Sequence, residues 1–213
     1  MYIAIEGAIG VGKTTLARLL QPVFKAEIIL EVFEENPFLS DFYSDRERYA
    51  FQTQIFFLLS RYHQQRRTIP LIIEQGKSLI SDYTFAKDAL FAGINLKNDE
   101  FDVYQQVHEA LAEKIVPPDL LVYLRADTDV LMQRIAQRDR SYERSMDRSY
   151  IDQLNNAYED FFSRPFHNTP VLSIDTNPLD FVRNPDHFKV IESRIRATLN
   201  LPPFQPALPL SGH

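Results

Sequence analysis

The chain of 213 residues contains no cysteine, which excludes a disulfide framework, a thiolate metal centre and a thiol nucleophile. It also lacks any excess of positive charge. With 23 Lys and Arg against 29 Asp and Glu the net charge is −6, which argues against a broad footprint on a nucleic acid polymer. No apolar run reaches the ~18 residues that span a bilayer, and neither a basic leader nor an apolar signal segment precedes Tyr2. The expectation is a soluble cytoplasmic protein with no membrane partner. There is no internal repeat and no sign of a second domain, so a domain over residues 1–200 is expected, with a proline-rich tail at 201–213. Finally, no N-K-x-D element occurs and no strand ends in D-x-x-G, which removes the guanine-specific switch proteins from consideration.

What is present begins at once. Gly7-Ala8-Ile9-Gly10-Val11-Gly12-Lys13-Thr14 follows the apolar run Tyr2–Ile5 and precedes the helix-forming Leu16–Leu20. A glycine-rich loop between a buried strand and a helix lets backbone N–H groups and the positive helix end face an anion. Lys13 then reaches the β- and γ-phosphates, and the Thr14 hydroxyl is placed to ligate Mg²⁺. The spacing points to nucleoside triphosphate chemistry.

Short apolar strands alternate with helices along the rest of the chain. Strands are expected at Glu27–Val32, Lys77–Asp82, Leu120–Leu124 and Val171–Ile174, with helices over Thr14 to Phe24, Asp45 to Arg67, Phe85 to Ala92, Asp99 to Ile115, Asp127 to Gln137, Ser149 to Phe162 and Pro185 to Leu199. Pro70 is expected to kink or end the long helix, Ser40-Asp41 to cap it, and Asp127 to cap the helix it precedes. This pattern predicts an α/β fold with a five-stranded parallel sheet wrapped by helices on both faces and a ligand site at the C-terminal strand ends. Glu31 and Asp82, closing strands two and three, then converge on the phosphate loop. Arg134, Arg138, Arg140, Arg144 and Arg148 follow as an Arg-rich segment of the kind that closes over transferring phosphates.

These pieces, with Glu31–Phe38, Arg48–Gln54, Ser81-Asp82-Tyr83 and Arg134–Glu143, resemble the deoxynucleoside kinase family over most of the chain. The resemblance implies the P-loop kinase fold with an Arg-rich lid, ATP as phosphoryl donor, Mg²⁺ as cofactor and transfer to a deoxynucleoside 5′-hydroxyl in nucleotide salvage. Asn36-Pro37-Phe38 looks most like the bacterial deoxyadenosine and deoxyguanosine kinases, which favours a purine. In family terms Gly7 to Thr15, Arg134, Arg138 and Arg140 bind ATP, Thr14 and Asp82 hold the metal, and Glu31 is the base on the 5′-hydroxyl. Glu34 and Glu35 remain weaker alternatives for that base. Gln54 reads the base edge, Tyr43 and Glu143 hold the sugar 3′-hydroxyl, and Phe51, Phe85 and Phe91 are candidates to stack on the base. The family is commonly dimeric, and faces around Ile55–Leu59 and Val103–Leu111 are candidates for a homodimer.

One departure stands out. Many members carry Asp/Glu-Arg-Ser after strand three, whereas this chain has Asp82-Tyr83-Thr84 and no arginine there. Lys87 and Arg138 are the candidates to supply the missing charge. Aligning the family's acid with Asp82 puts Asp88 toward the base; the alternative register puts Asp82 itself there, and the first is preferred. Two rival readings are a thymidylate-type monophosphate kinase, which would need more basic residues around its charged acceptor, and a catalytically silent nucleotide-binding subunit.

Overall fold

The computed structural model describes residues 1–144, 146–166 and 168–203. Strands β1 (Tyr2–Glu6), β2 (Glu27–Ile29), β3 (Leu79–Ser81), β4 (Leu120–Arg125) and β5 (Val171–Asp175) form one parallel sheet in the order β2-β3-β1-β4-β5. Helices α1 (Lys13–Phe24), α2 (Leu39–Ser44), α3 (Arg46–Glu74), α4 (Lys87–Asn95), α5 (Asn98–Ala112), α6 (Thr128–Arg138), α7 (Arg148–Phe162) and α8 (Pro185–Thr198) connect and cover them.

Side chains alternate across a strand, and β1 places them on two cores. Ile3 and Ile5 belong to the main apolar cluster, while Tyr2 and Ala4 join Ile29, Ile69, Leu79 and Tyr83 in a second one. All five β1 residues are buried, as a strand covered on both faces requires. Ile3 pairs with Ile80 on one side and Leu120 on the other, so β1 lies where the strand order reverses direction. Open parallel sheets bind ligands beyond the carboxyl ends of the strands at that point. The phosphate loop leaves β1 directly into it.

Several boundaries differ from the sequence expectations. β2 ends at Ile29, so Glu31 lies two residues beyond the strand, held beside β3 by its backbone N–H, which donates to Asp82 Oδ1 at 2.8 Å. Pro70 neither ends nor interrupts α3, which continues to Glu74. A mid-helix proline forfeits one backbone hydrogen bond, and burial of the adjacent Ile69 in the second cluster offsets that loss. Ser40 and Asp41 fall inside α2, and α3 is capped by Asp45, whose Oδ1 accepts from Arg48 N at 3.3 Å. Asp127 precedes α6 without a side-chain capping bond. Among the described residues no helix is long and apolar enough to cross a membrane. Positions 204–213 of the expected tail lie outside the described residues.

Gly7 occupies a φ of +146°, and a Cβ there would overlap the Leu124 carbonyl oxygen at the end of β4. The backbones of two strands meet where only hydrogen fits. Gly7→Ala is therefore expected to lose about 2–3 kcal/mol of stability, read as a lowered melting temperature.

Candidate active site

The loop turns on itself through Val11 N–H donating to Ala8 O at 3.3 Å and opens α1 at Gly12, whose φ is +104°. Lys13 Nζ donates to the carbonyl oxygens of Gly7 and Ala8, at 2.7 and 3.1 Å. Desolvation, and then the Lys87 ammonium, lower the Lys13 pKa to about 8. Beneath the loop Glu6 is fully buried. Its carboxylate accepts from Gly7 N (3.3 Å), Thr84 N (2.6 Å), Thr84 Oγ1 (2.9 Å) and the Tyr158 hydroxyl (3.0 Å). Glu6 therefore ties the start of the loop to the segment after β3.

Thr14 Oγ1 donates to Asp82 Oδ2 at 2.5 Å, while the other Asp82 oxygen holds Glu31 N–H. A hydroxyl and a carboxylate at the mouth of a phosphate loop are hard oxygen donors, the set that fits Mg²⁺ completed by phosphate and water. Next to them stands a cluster of four charges. Lys87 Nζ donates to Glu31 Oε2 at 2.6 Å; Arg61 Nε donates to Glu31 Oε1 at 3.0 Å, and its Nη1 pairs with Asp88 Oδ1. Desolvation pushes the Glu31 carboxyl up, but Lys87 and Arg61 outweigh it and hold the group well below the usual carboxylate range. Asp88 goes the other way. Burial raises its pKa to about 6 against the opposing Arg61 charge, and its Oδ2 has no partner among the described residues.

Two clefts meet at the loop. The first, of about 280 Å³, is lined by Glu31, Tyr43, Gln54, Arg61, Lys87 and Phe91 among others; the second, of about 580 Å³, by Arg134, Gln137 and the segment Asn177–Arg183. Gly10, Gly12, Thr15 and Arg138 line both. Over the first cleft, Arg138 donates to Glu143 at 2.6 Å, Arg140 lies 4.1 Å above the Phe33 ring, and Tyr43 stacks on Tyr142 at 6.1 Å. The two cavities therefore meet across one loop.

The comparisons with known proteins decide the family. The family model "Deoxynucleoside kinase" matches residues 3–200. The chain is 34% identical over 198 residues to a deoxyguanosine kinase of Bacillus subtilis, covering 92% of this chain and 96% of that protein. It is 34% identical over 179 residues to a deoxyadenosine kinase of Dictyostelium discoideum, covering 82% and 71% of the two chains. The chain belongs to the deoxynucleoside kinase family. Among solved structures, a deoxyadenosine kinase from M. mycoides with bound dATP superposes with a TM-score of 0.80 at 27% identity, over 92% of this chain and 99% of that one.

In this deoxynucleoside kinase the expected site residues divide. Tyr43, Gln54, Lys87, Phe91 and Glu143 line the first cleft together with Glu31. Phe85 does not. It stacks on His108 at 4.9 Å and packs near Tyr62, while Phe57 lines the cleft from α3. Phe51 is likewise absent from the cleft wall and packs against the main core. Asp88 lies behind Arg61 rather than on the cleft wall. The Arg-rich segment also splits. Arg144 and Arg148 are in exposed pairs with Asp139 and Asp129, whereas Arg134 braces the loop, donating to Val11 O at 3.4 Å and to Thr176 Oγ1 and O at 2.9 and 2.8 Å.

Sequence reasoning passed over Arg61 and Glu6. The signal for Arg61 was its helical spacing: Gln54, Phe57 and Arg61 stand at i, i+3 and i+7 and share one face of α3. The signal for Glu6 was an acid closing a wholly apolar strand immediately before the loop.

Proposed function

We propose that this kinase transfers the γ-phosphoryl group of ATP to the 5′-hydroxyl of purine 2′-deoxynucleosides, with Mg²⁺ held by Thr14 and Asp82. The observation that carries the reading is Glu31: a carboxylate on the wall of the first cleft, beside Thr14 and Asp82, with its oxygens gripped by Lys87 and Arg61. The two cations beside Glu31 are matched by Glu31 and Asp88, so this cluster holds no net positive charge for the phosphate of a phosphomonoester. An uncharged alcohol fits better than a nucleoside monophosphate. The purine preference is supported by the relatives, which include deoxyguanosine and deoxyadenosine kinases.

On this reading the second cleft takes the ATP nucleoside and the loop takes its phosphates, with Lys13, Arg134, Arg138 and Arg140 compensating their charge. Mg²⁺ held by Thr14 and Asp82 would supply charge neutralisation at the phosphates of the donor. Glu31, being a weak base, acts mainly by accepting a hydrogen bond from the 5′-hydroxyl and fixing its line of attack; it takes the proton as the 5′-oxygen bonds to the γ-phosphorus and the bond from that phosphorus to the bridging oxygen breaks, with ADP leaving. A loose phosphoryl-transfer transition state needs little deprotonation beforehand. Gln54 holds the base edge, Phe91 packs on the base, and Tyr43 with Glu143 hold the 3′-hydroxyl, so the Arg138–Glu143 pair links sugar binding to lid position. Asp88 steers Arg61. We further propose a single domain over residues 1–200, a cytoplasmic enzyme, and a homodimer through the exposed Leu59 and Val103 faces of α3 and α5.

The test is phosphate transfer from labelled ATP to the four deoxynucleosides and to their monophosphates, with and without Mg²⁺. Turnover is expected on deoxyadenosine or deoxyguanosine, only with the metal. Turnover confined to monophosphates would replace this reading with that of a monophosphate kinase, and saturable ATP binding without any turnover would make the chain a silent subunit.

A further inference from the structure

Thr53 is fully buried on α3 and lines the acceptor cleft beside Gln54, yet its hydroxyl finds no hydrogen-bond partner among the described residues. A helical threonine ordinarily returns its hydroxyl to a carbonyl three or four residues back. This one does not. Its peptide carbonyl accepts from Asn36 Nδ2 at 3.2 Å, which fixes the backbone at this point against the segment before α2. Valine has the same shape without the hydroxyl, so a residue serving packing alone gains nothing from threonine, and an unpaired buried hydroxyl is unfavourable. The hydroxyl is accounted for if its partner is the substrate. Gln54 is also almost completely buried, and Phe57 and Arg61 continue the same wall.

We propose that Thr53 is a specificity-determining contact to the acceptor's base, its hydroxyl donating to a ring nitrogen or carbonyl oxygen of the nucleobase next to the Gln54 amide. This rests on the acceptor reading above and deepens it. A site that hydrogen-bonds a substrate group discriminates more strongly than one that selects by shape, because the wrong base leaves a buried group unpaired.

The experiment compares the full chain with Thr53→Val and Thr53→Ser, measuring kcat/KM for each of the four deoxynucleosides, KM for ATP and the melting temperature. Thr53→Val is expected to lower kcat/KM about tenfold or more for the best deoxynucleoside and less for the others. KM for ATP stays unchanged, the melting temperature is unchanged or higher, and Thr53→Ser recovers most of the loss. An equal change for all four substrates, or none, would overturn the proposal and leave Thr53 a packing residue. Loss of folding in Thr53→Val would overturn it too, since that would reveal a partner for the hydroxyl within the protein. Failure of the acceptor reading is distinguishable, because the unsubstituted enzyme itself would then phosphorylate none of the four.

Discussion

Glu31→Gln is expected to reduce kcat by about a thousandfold while leaving the affinity for deoxynucleoside within a few-fold of the unsubstituted enzyme. The amide has the same shape, and its oxygen can keep the Arg61 bonds now made to Oε1. The position of Oε2 then carries an N–H₂ group facing the Lys87 ammonium, donor against donor, so Lys87 loses the partner it holds at 2.6 Å. The substrate hydroxyl loses both its orienting acceptor and the destination of its proton. Steady-state kinetics with calorimetric binding of the nucleoside separates the two effects. A kcat within a few-fold of the original would take the proton-accepting role from Glu31 and point to Glu34 or Glu35.

The second large effect concerns the charge that replaces the absent arginine. Lys87→Met keeps the length of the stem and removes the ammonium; kcat is expected to fall about a hundredfold, with a smaller change in KM for ATP. Lys87→Arg should recover part of the loss. Position 83 offers no alternative, because Tyr83 is fully buried in the second cluster and its hydroxyl bonds to Gln64 Oε1 away from the cleft. Arg138, the other candidate, is already engaged by Glu143 and acts from the lid. Lys87 lies in the first turn of α4, almost fully buried, on the wall of the acceptor cleft and in contact with Glu31. Full activity in Lys87→Met together with collapse in Arg138→Met would assign the charge to the lid instead.

How far such residues could be read in advance depended on how locally they are determined. The phosphate loop was legible because its strand, glycines, lysine and helix are contiguous, and the placement of Glu31 and Asp82 followed from alternating strands and helices. Arg61 carried only a spacing signal, since its partners Glu31 and Asp88 come from segments 30 and 27 residues away. The surroundings of Phe85 were hidden for the same reason: an aromatic near the end of a strand can face a cleft or a neighbouring helix, and here α5 brings His108 against it. Pro70 gave a local break signal that burial of Ile69 against the sheet overrode.

By itself, then, the order of residues determined the architecture and the phosphate chemistry, because hydrophobic period and a continuous glycine-lysine-threonine element act over a few residues at a time. The strand order, the four-charge cluster around Glu31 and a Thr53 hydroxyl with no hydrogen-bond partner among the described residues were decided only in three dimensions. Each depends on which distant groups come together once water is excluded, and desolvated charges and hydroxyls are governed by those neighbours rather than by their place in the chain.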